Sequence, residues 1–270
     1  MTHPLDGVKE KIARAEAHLV TTRAELQAHK SKCTVLAKKH PNANSLFDFY
    51  ANFPQPPLSL SCIISDCLHN LLTALDYLVY ELASTNGGLK IHNMFPICNA
   101  SNVYNRQVQE RHRLHNVPLE AQAIIERVQP YNAKGRKRFS HPLYILNKLI
   151  NEDRYRTLAL TVTCRAYPTF LLNEPNGRTI IEGTSITEAF QDGARISEQR
   201  LTGIQLEEVV MNIQRGIYLP FKDLPWTDSS ADTVLGAVVW FVKKQVVPRF
   251  EPFFDQPTDR AVAIAAKSKG

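Results

Sequence analysis

The segment from Ser61 to Ala83 carries the clearest helical pattern in the chain and limits the fold more than any other feature. At about 100° per residue, its leucines and small apolar residues cover a broad arc, and its polar side chains fall in one sector of roughly 140°. That sector contains no lysine or arginine and holds Asp66, His69, Asn70, Thr73, Asp76, Tyr77, Tyr80 and Glu81. Solvated helix faces usually carry long charged side chains. We therefore expect this face to meet other protein or to line a cleft, where each polar group has a fixed partner.

The pattern along the rest of the chain predicts an α+β fold, a helical bundle with an appended antiparallel β-meander and a C-terminal apolar helix. Besides 61–83, apolar residues recur at helical spacing over 5–39, 118–128, 143–159 and 229–247. Pro248 is expected to end the last helix, and the proline-rich segment 47–57 reads as a connector. Two dipeptides, Asn176-Gly177 and Asp192-Gly193, are typical of β-hairpins.

These elements suggest four regions. We expect a helical bundle over residues 1–160 and an antiparallel sheet over 161–222. Residues 223–254 are expected to form a helix that packs on the bundle or the sheet, and 255–270 a loose tail. The final helix is apolar almost all round, which is typical of a deeply buried helix or of an oligomer contact.

The positive charge of the chain is concentrated in its middle. Between Tyr104 and Arg156 eleven lysines and arginines stand against five acidic residues, so this region carries the whole net charge of +6. Such a field attracts phosphate or another acidic partner, unless the charges belong to a solvated loop. Its densest run is Arg136, Lys137 and Arg138.

The helix over 143–159 offers partners for the polar face of 61–83. Asn147, Asn151 and Arg154 form one stripe, and Arg156 lies farther round the helix. Polar groups among apolar stripes need partners, so we expect Asp66 and Asp76 to face Arg154 or Arg156. His69, Asn70, Asn147 and Asn151 would complete a hydrogen-bonded network.

Two interpretations of this network stay open. In the first it only fixes the register of two packed helices. In the second, Asp66, His69 and Asp76 are catalytic, with His69 as a general base oriented by a carboxylate, and an arginine holds an anionic substrate. Asp66 and His69 could supply two metal ligands, but no third ligand stands at a diagnostic spacing. We predict no metal and no cofactor.

The sequence carries no sign of export or of a membrane anchor. Residues 1–16 are polar and lack the apolar stretch of a secretory signal. The longest apolar run, Val234 to Val242, is far shorter than the roughly 20 residues that cross a bilayer. The five cysteines form no C-x-x-C pair. We therefore predict a cytoplasmic protein without membrane contact.

Two stretches resemble a widespread group of uncharacterised bacterial proteins. Members of that group carry a D-x-L-H-N-L-R-S-A-L-D-H-L motif and a later D-K-H-R motif. Here the matching stretches are D-C-L-H-N-L-L-T-A-L-D-Y-L over 66–78 and D-R-Y-R over 153–156. The arginine and the second histidine of the group's first motif stand at a spacing that is similar to the catalytic spacing of HEPN ribonucleases in toxin and defence systems.

This chain departs from the HEPN-like pattern at the positions that carry the chemistry. Leu72 replaces the arginine, Tyr77 replaces the histidine, and Tyr155 replaces the histidine of the later motif. Leucine cannot stabilise a phosphorane, and tyrosine, with a pKa of about 10, is a poor base at neutral pH. The resemblance thus implies a catalytically degenerate HEPN-like protein.

Three functions remain open at this stage. The first is a degenerate HEPN-like protein that binds RNA or another acidic partner through residues 104–156. The second is a hydrolase or transferase that acts on a small anionic molecule. The third is a non-enzymatic scaffold that forms a homodimer through its apolar C-terminal helix.

Overall fold

The computed structural model confirms an α+β protein. It describes residues 3–40, 46–88, 92–164, 169–174, 177–182, 193, 195–200, 209–212, 217–222, 224 and 229–255. Its helices are α1 (Asp6–Lys30), α2 (Leu58–Thr85), α3 (Ser101–Gln109), α4 (Leu119–Arg127), α5 (Pro142–Asp153) and α6 (Ala231–Phe241). Short 3₁₀ turns occupy Pro130–Asn132 and Gly135–Arg138.

Three helix bounds differ from the sequence prediction. The first helix ends at Lys30 rather than near residue 39, and α5 ends at Asp153 rather than near residue 159. The last helix does not stop at Pro248, because a π turn over Val242–Val246 leads into a 3₁₀ segment over Val247–Phe253. Pro248 occupies the first turn of that segment, where a missing N–H removes no helical hydrogen bond.

The strands are β1 (Thr34–Lys39), β2 (Leu46–Asn52), β3 (Thr163–Cys164), β4 (Thr169–Glu174), β5 (Gly177–Glu182), β6 (Arg195–Arg200), β7 (Val209–Asn212) and β8 (Ile217–Tyr218). They form three small antiparallel sheets with the orders β1-β2-β6, β3-β8 and β5-β4-β7. The helix predicted as far as residue 39 and the connector predicted over 47–57 were therefore wrong at β1 and β2. β2 gains its partner β6 from far along the chain, and no local pattern reveals that pairing.

One of the two predicted hairpins can be compared with the structure. β4 pairs with β5 and brings Glu174 opposite Gly177, as the Asn176-Gly177 signal predicts. Asn176 itself lies outside the described residues. The second hairpin falls mostly on residues that the structure does not describe, apart from Gly193 and β6, and β6 pairs with β2.

The described residues divide into two compact units. Unit one combines Met1–Leu19, Ile64–Tyr155 and Leu235–Gly270, and unit two combines Val20–Ile63 and Arg156–Val234. In unit one, α1 packs on α2, where the Cys67 thiol donates to the carbonyl of Ala15 at 3.3 Å. In unit two, the Ser61 hydroxyl donates to the carbonyl of Leu158 at 2.7 Å. The region boundaries drawn from the sequence remain predictions.

The prediction that no segment is long enough to cross a bilayer does not hold for helix α2. Among the described residues it is the one helix long and apolar enough, at 28 residues, to cross a bilayer by length and composition. Short polar side chains interrupt its apolar run, so its sequence does not stand out as a continuous apolar segment. Core helices of soluble proteins share this length and composition. Its leucines Leu68, Leu71 and Leu75 are fully buried within the protein.

Most of the apolar surface of α6 is also buried. Leu235 and Val238 are fully buried, and so is Val242 in the π turn that follows. Trp240 is the exception, with 55% of its surface exposed. The predicted homodimer through the C-terminal helix therefore depends on Trp240 rather than on the whole helix, and it remains a prediction.

Candidate anion-binding cleft

Unit one contains a cleft of about 310 Å³ whose lining includes three arginines and one carboxylate. One wall comes from α2, one from the extended segment 94–98, one from the loop after α3, and one from α5. Its charged side chains are Asp76, Arg111, Arg113 and Arg154. Its polar side chains include Gln107, Asn147 and Asn151, and Leu72, Met94, Pro96, Ile97 and Ile150 give it an apolar surface.

Asp76 is partly buried and accepts a single fixed hydrogen bond. The backbone N–H of Phe95 donates to its Oδ1 at 2.8 Å. Burial raises the pKa of Asp76 to about 6, and both the Phe95 N–H and the positive charge of Arg113 oppose that rise. Among the described residues no donor reaches Oδ2. One carboxylate oxygen is thus held by the protein, and the other is left for a ligand or water.

The loop between α3 and α4 supplies two of the three cations. Arg111 and Arg113 flank His112, whose φ of 51° lies in the left-handed region. Arg113 is held by Gln107, since its Nε donates to the Gln107 Oε1 at 3.4 Å. The carbonyl of Arg113 accepts from the N–H of Met94 at 3.1 Å, which ties this loop to the extended wall. The side chain of Arg111 has no partner within the part of the chain that the structure describes.

The extended wall is held in place by one buried amide. Gln129 is 1% exposed, and its Oε1 accepts from the N–H of Cys98 at 2.9 Å. Its Nε2 donates to the carbonyl of Pro96 at 2.9 Å and to that of Ile125 at 3.0 Å. Both N–H donors of this amide and its carbonyl oxygen thus bond to the backbone of the wall and of α4.

Helix α5 places a polar stripe along the cleft, as its spacing predicts. Asn147, Asn151 and Arg154 follow one another at three- and four-residue intervals, and all line the cleft. The Nδ2 of Asn151 donates to the Oδ1 of Asn147 at 3.4 Å. Arg154 caps the end of α5 and is exposed, and within the described residues its guanidinium makes no ion pair.

His69 finds a carboxylate, but outside the cleft. Its Nε2 lies 3.1 Å from the Oδ2 of Asp153, which also accepts from the Ser65 hydroxyl at 2.5 Å. The histidine side chain is 48% exposed. His69 and Asp76 are seven residues apart, about 10 Å along the helix axis. The structure therefore does not bring His69 and Asp76 together in one site.

The other predicted site residues lie away from the cleft lining. Asp66 is exposed, and its backbone carbonyl accepts from the Asn70 side chain at 2.8 Å. Lys137 and Arg138 are exposed, and Arg138 stacks on Phe139 at 4.7 Å. The Arg136 side chain lies outside the described residues, and Arg156 belongs to unit two. The predicted pairing of Asp66 with an arginine is absent among the described residues, and Asp76 faces Arg113.

The two positions of the HEPN-like spacing diverge. Leu72 lines the cleft, where the motif would place an arginine. Tyr77 lies against α1 instead, beside Gly7, with the Nζ of Lys11 at 5.9 Å from its ring. Residues 72 and 77 therefore do not lie in one site, since the first lines the cleft and the second contacts α1.

The remaining reactive group at the cleft is a thiol. Burial raises the pKa of Cys98 to about 11, so this cysteine is a neutral thiol at neutral pH and a poor nucleophile. Among the described residues no three His, Cys, Asp or Glu side chains converge as a metal site.

Sequence reasoning missed Gln107, Arg111, Arg113 and Gln129. The two arginines were counted in the basic region but not assigned to a site, because they lie in a loop without periodicity. Comparisons with protein-family models, with curated proteins and with solved structures find no match for this chain.

Proposed function

We propose that this protein binds a phosphate-bearing ligand in the cleft formed by Asp76, Arg111, Arg113 and Arg154. The observation that carries the proposal is a cleft lined by three arginines and a single carboxylate, of which Arg113 is close enough to lower the pKa of Asp76. Arginine presents a planar fork of donors that can bind two phosphate oxygens at once. This geometry favours phosphate over a spherical anion.

The lack of acidic partners for two of these arginines, among the described residues, supports the same function. Structural arginines in a cleft are normally paired with a carboxylate. Within the described residues Arg111 and Arg154 have no acidic partner, and Asp76 is the single acid in the lining. The cleft therefore carries an excess of two positive charges when Asp76 is ionised. An anionic ligand would balance that excess.

Binding without hydrolysis is the form that the cleft favours. Leu72 offers no charge at the position of the motif arginine, and Tyr77 lies against α1. Cys98 is a neutral thiol. We therefore retain the interpretation of a catalytically degenerate HEPN-like protein, built as a helical bundle with a C-terminal apolar helix; the predicted single β-meander is replaced by three small antiparallel sheets.

Two sources of phosphate fit this chemistry, a free mononucleotide and a nucleotide within RNA. A volume of about 310 Å³ is at the lower end for small-molecule sites, which favours the mononucleotide. Isothermal titration calorimetry with ribonucleoside 5′-monophosphates tests the first source. Fluorescence anisotropy with a labelled single-stranded RNA tests the second.

The matched variants are Arg154→Gln in the cleft and Arg249→Gln outside it. Both residues are exposed, and both variants remove one positive charge. Charge-assisted hydrogen bonds are worth about 1.5–3 kcal/mol, so Arg154→Gln should weaken mononucleotide binding about tenfold or more, and Arg249→Gln by less than about twofold. The affinity should also fall between about 50 mM and about 200 mM salt, as ion release requires.

Several results would contradict the proposal. No binding of any mononucleotide or RNA at low salt would do so, and so would equal losses in both variants. RNA binding that Arg154→Gln leaves unchanged would place RNA on the outer basic residues rather than in the cleft.

A second candidate function is a hydrolase or transferase that acts on the same anion. The observation in its favour is Asp76, whose pKa of about 6 suits proton transfer near neutral pH. This function predicts turnover of a bound phosphate ester that rises as Asp76 ionises and is lost in Asp76→Asn. Release of product detected by ³¹P NMR would distinguish it from binding alone.

A further inference from the structure

We propose that the ligand of this cleft carries a guanine base, whose N1–H and 2-amino group donate to Asp76 while its phosphate contacts the arginines. This inference depends on the proposed function and adds the identity of the ligand.

One oxygen of the Asp76 carboxylate is an acceptor that the described residues leave unused. Asp76 Oδ1 already accepts from the Phe95 N–H at 2.8 Å, which fixes the orientation of the carboxylate. Oδ2 has no donor among the described residues, and an ionised carboxylate can only accept hydrogen bonds. The group of the ligand that meets Asp76 must therefore be a donor.

The net positive charge of the cleft matches a phosphate monoester. Three arginines and one ionised aspartate leave an excess of two positive charges. A phosphate monoester carries close to two negative charges at neutral pH. A neutral N–H donor then completes the balance, whereas an ammonium group would add a third positive charge to the excess.

The apolar part of the walls favours a ligand with an aromatic base. Leu72, Met94, Pro96, Ile97 and Ile150 give the cleft an apolar surface beside its charged groups. Inorganic phosphate would leave that surface wet. A flat aromatic base covers it and gains the hydrophobic contribution of the contact.

The hydrogen-bonding edges of the four common bases differ in how well they match the Asp76 carboxylate. Each carboxylate oxygen has two lone pairs, so Asp76 can accept one donor at Oδ2 and a second at Oδ1 beside the Phe95 N–H, and it pairs best with two adjacent donors on one edge. Guanine presents N1–H and its 2-amino group side by side on its Watson–Crick edge. Uracil flanks its one N–H with carbonyl oxygens that would repel a carboxylate. The corresponding edges of adenine and cytosine mix a donor with acceptors. Guanine is therefore the common base that matches Asp76.

Calorimetry with GMP, IMP and AMP tests this inference on the unmodified protein. IMP keeps N1–H but lacks the 2-amino group, and AMP lacks both N1–H and the 2-amino group. We expect GMP to bind about tenfold or more tighter than IMP and about a hundredfold or more tighter than AMP, since each charge-assisted hydrogen bond is worth about tenfold or more in affinity.

The variant Asp76→Asn reverses the pairing. Asparagine still accepts from the Phe95 N–H, but its amide now offers a donor where Oδ2 stood. We expect the preference for GMP to vanish and xanthosine 5′-monophosphate, with a carbonyl at position 2, to bind more tightly than to the unmodified protein. Glu120→Gln, which removes an exposed carboxylate on α4, is the matched control and should keep the preference for GMP.

The outcomes separate the inference from the proposed function. If no nucleotide binds, both fail. If GMP, IMP and AMP bind alike, and Arg154→Gln weakens all three equally, the phosphate site stands and the guanine assignment is overturned. A preference for GMP that persists in Asp76→Asn would overturn the role of Asp76. The comparison of bases needs no variant, so the inference stays testable even if Asp76→Asn misfolds.

Discussion

Replacing Asp76 by asparagine should stabilise the protein above pH 6 and leave its stability nearly unchanged near pH 4. The reason is the burial of this carboxyl group, which raises its pKa from 3.8 to about 6. The native state therefore holds the proton to a higher pH than the unfolded chain does. The free energy of unfolding must fall as pH rises through this window. Asparagine carries no charge at any of these pH values, so the free energy of unfolding of the variant does not fall for this reason.

The size of the effect follows from the same two pKa values. Each pH unit corresponds to about 1.36 kcal/mol, so the rise from 3.8 to about 6 corresponds to about 3 kcal/mol. The hydrogen bond from Phe95 survives in the variant because the side-chain oxygen of asparagine accepts it equally well. The charge of Arg113 already lowers the pKa in the native protein, so its contribution is included in this figure.

Urea denaturation followed by circular dichroism measures the effect at about pH 4 and about pH 8. We expect Asp76→Asn to match the unmodified protein at the lower pH and to exceed its free energy of unfolding by about 3 kcal/mol at the higher pH. Asp66→Asn, an exposed position on the same helix, is the control and should change that free energy by less than about 0.5 kcal/mol. A difference of equal size at both pH values, or a less stable variant at about pH 8, would refute this reasoning.

Three further predictions concern other parts of the chain. Gln129→Leu removes the partners of the Cys98 N–H and of the Pro96 and Ile125 carbonyls, and urea denaturation should show a loss of about 2–4 kcal/mol; an unchanged midpoint would contradict the role of this amide. Burial lowers the pKa of His29, which is 3% exposed, so the unfolded chain takes up the proton first and stability should fall as pH drops below about 6.5. In His29→Gln that acid-induced loss should shrink, and an identical pH profile would exclude His29 as its source. His69→Ala should lower the free energy of unfolding by less than about 1 kcal/mol, because its pair with Asp153 is exposed and screened; a loss of several kcal/mol in thermal denaturation would show that the pair is structural.

The long helices could be predicted because their patterns are local. In α2 the polar and apolar side chains separate over more than six turns. The polar face lines the cleft at Asp76, but the expectation of a shielded face was wrong for Asp66, His69, Tyr77 and Tyr80, which are exposed. The stripe of Asn147, Asn151 and Arg154 was also visible, because residues three and four apart share one helix face.

The strands β1 and β2 and half of the site could not be predicted in this way. β2 is stabilised by β6, about 150 residues later, and such pairing leaves no mark on a short window of sequence. Asp76 is held by a backbone N–H of Phe95, a group that every residue except proline carries. Arg111 and Arg113 reach the cleft through an irregular loop, and their approach depends on the φ of His112.

The loop of Arg111, His112 and Arg113 has a consequence for how this protein could evolve. It delivers two cations from three consecutive residues, while the packing of α2 and α5 sets the opposite walls. Loops tolerate substitution and insertion far better than helix interiors do. A single change in this loop could therefore shift both guanidinium groups and alter which anions are accepted, while the hydrophobic interior keeps its arrangement. Descendants of one ancestral scaffold could in this way diverge in ligand choice before they diverge in architecture.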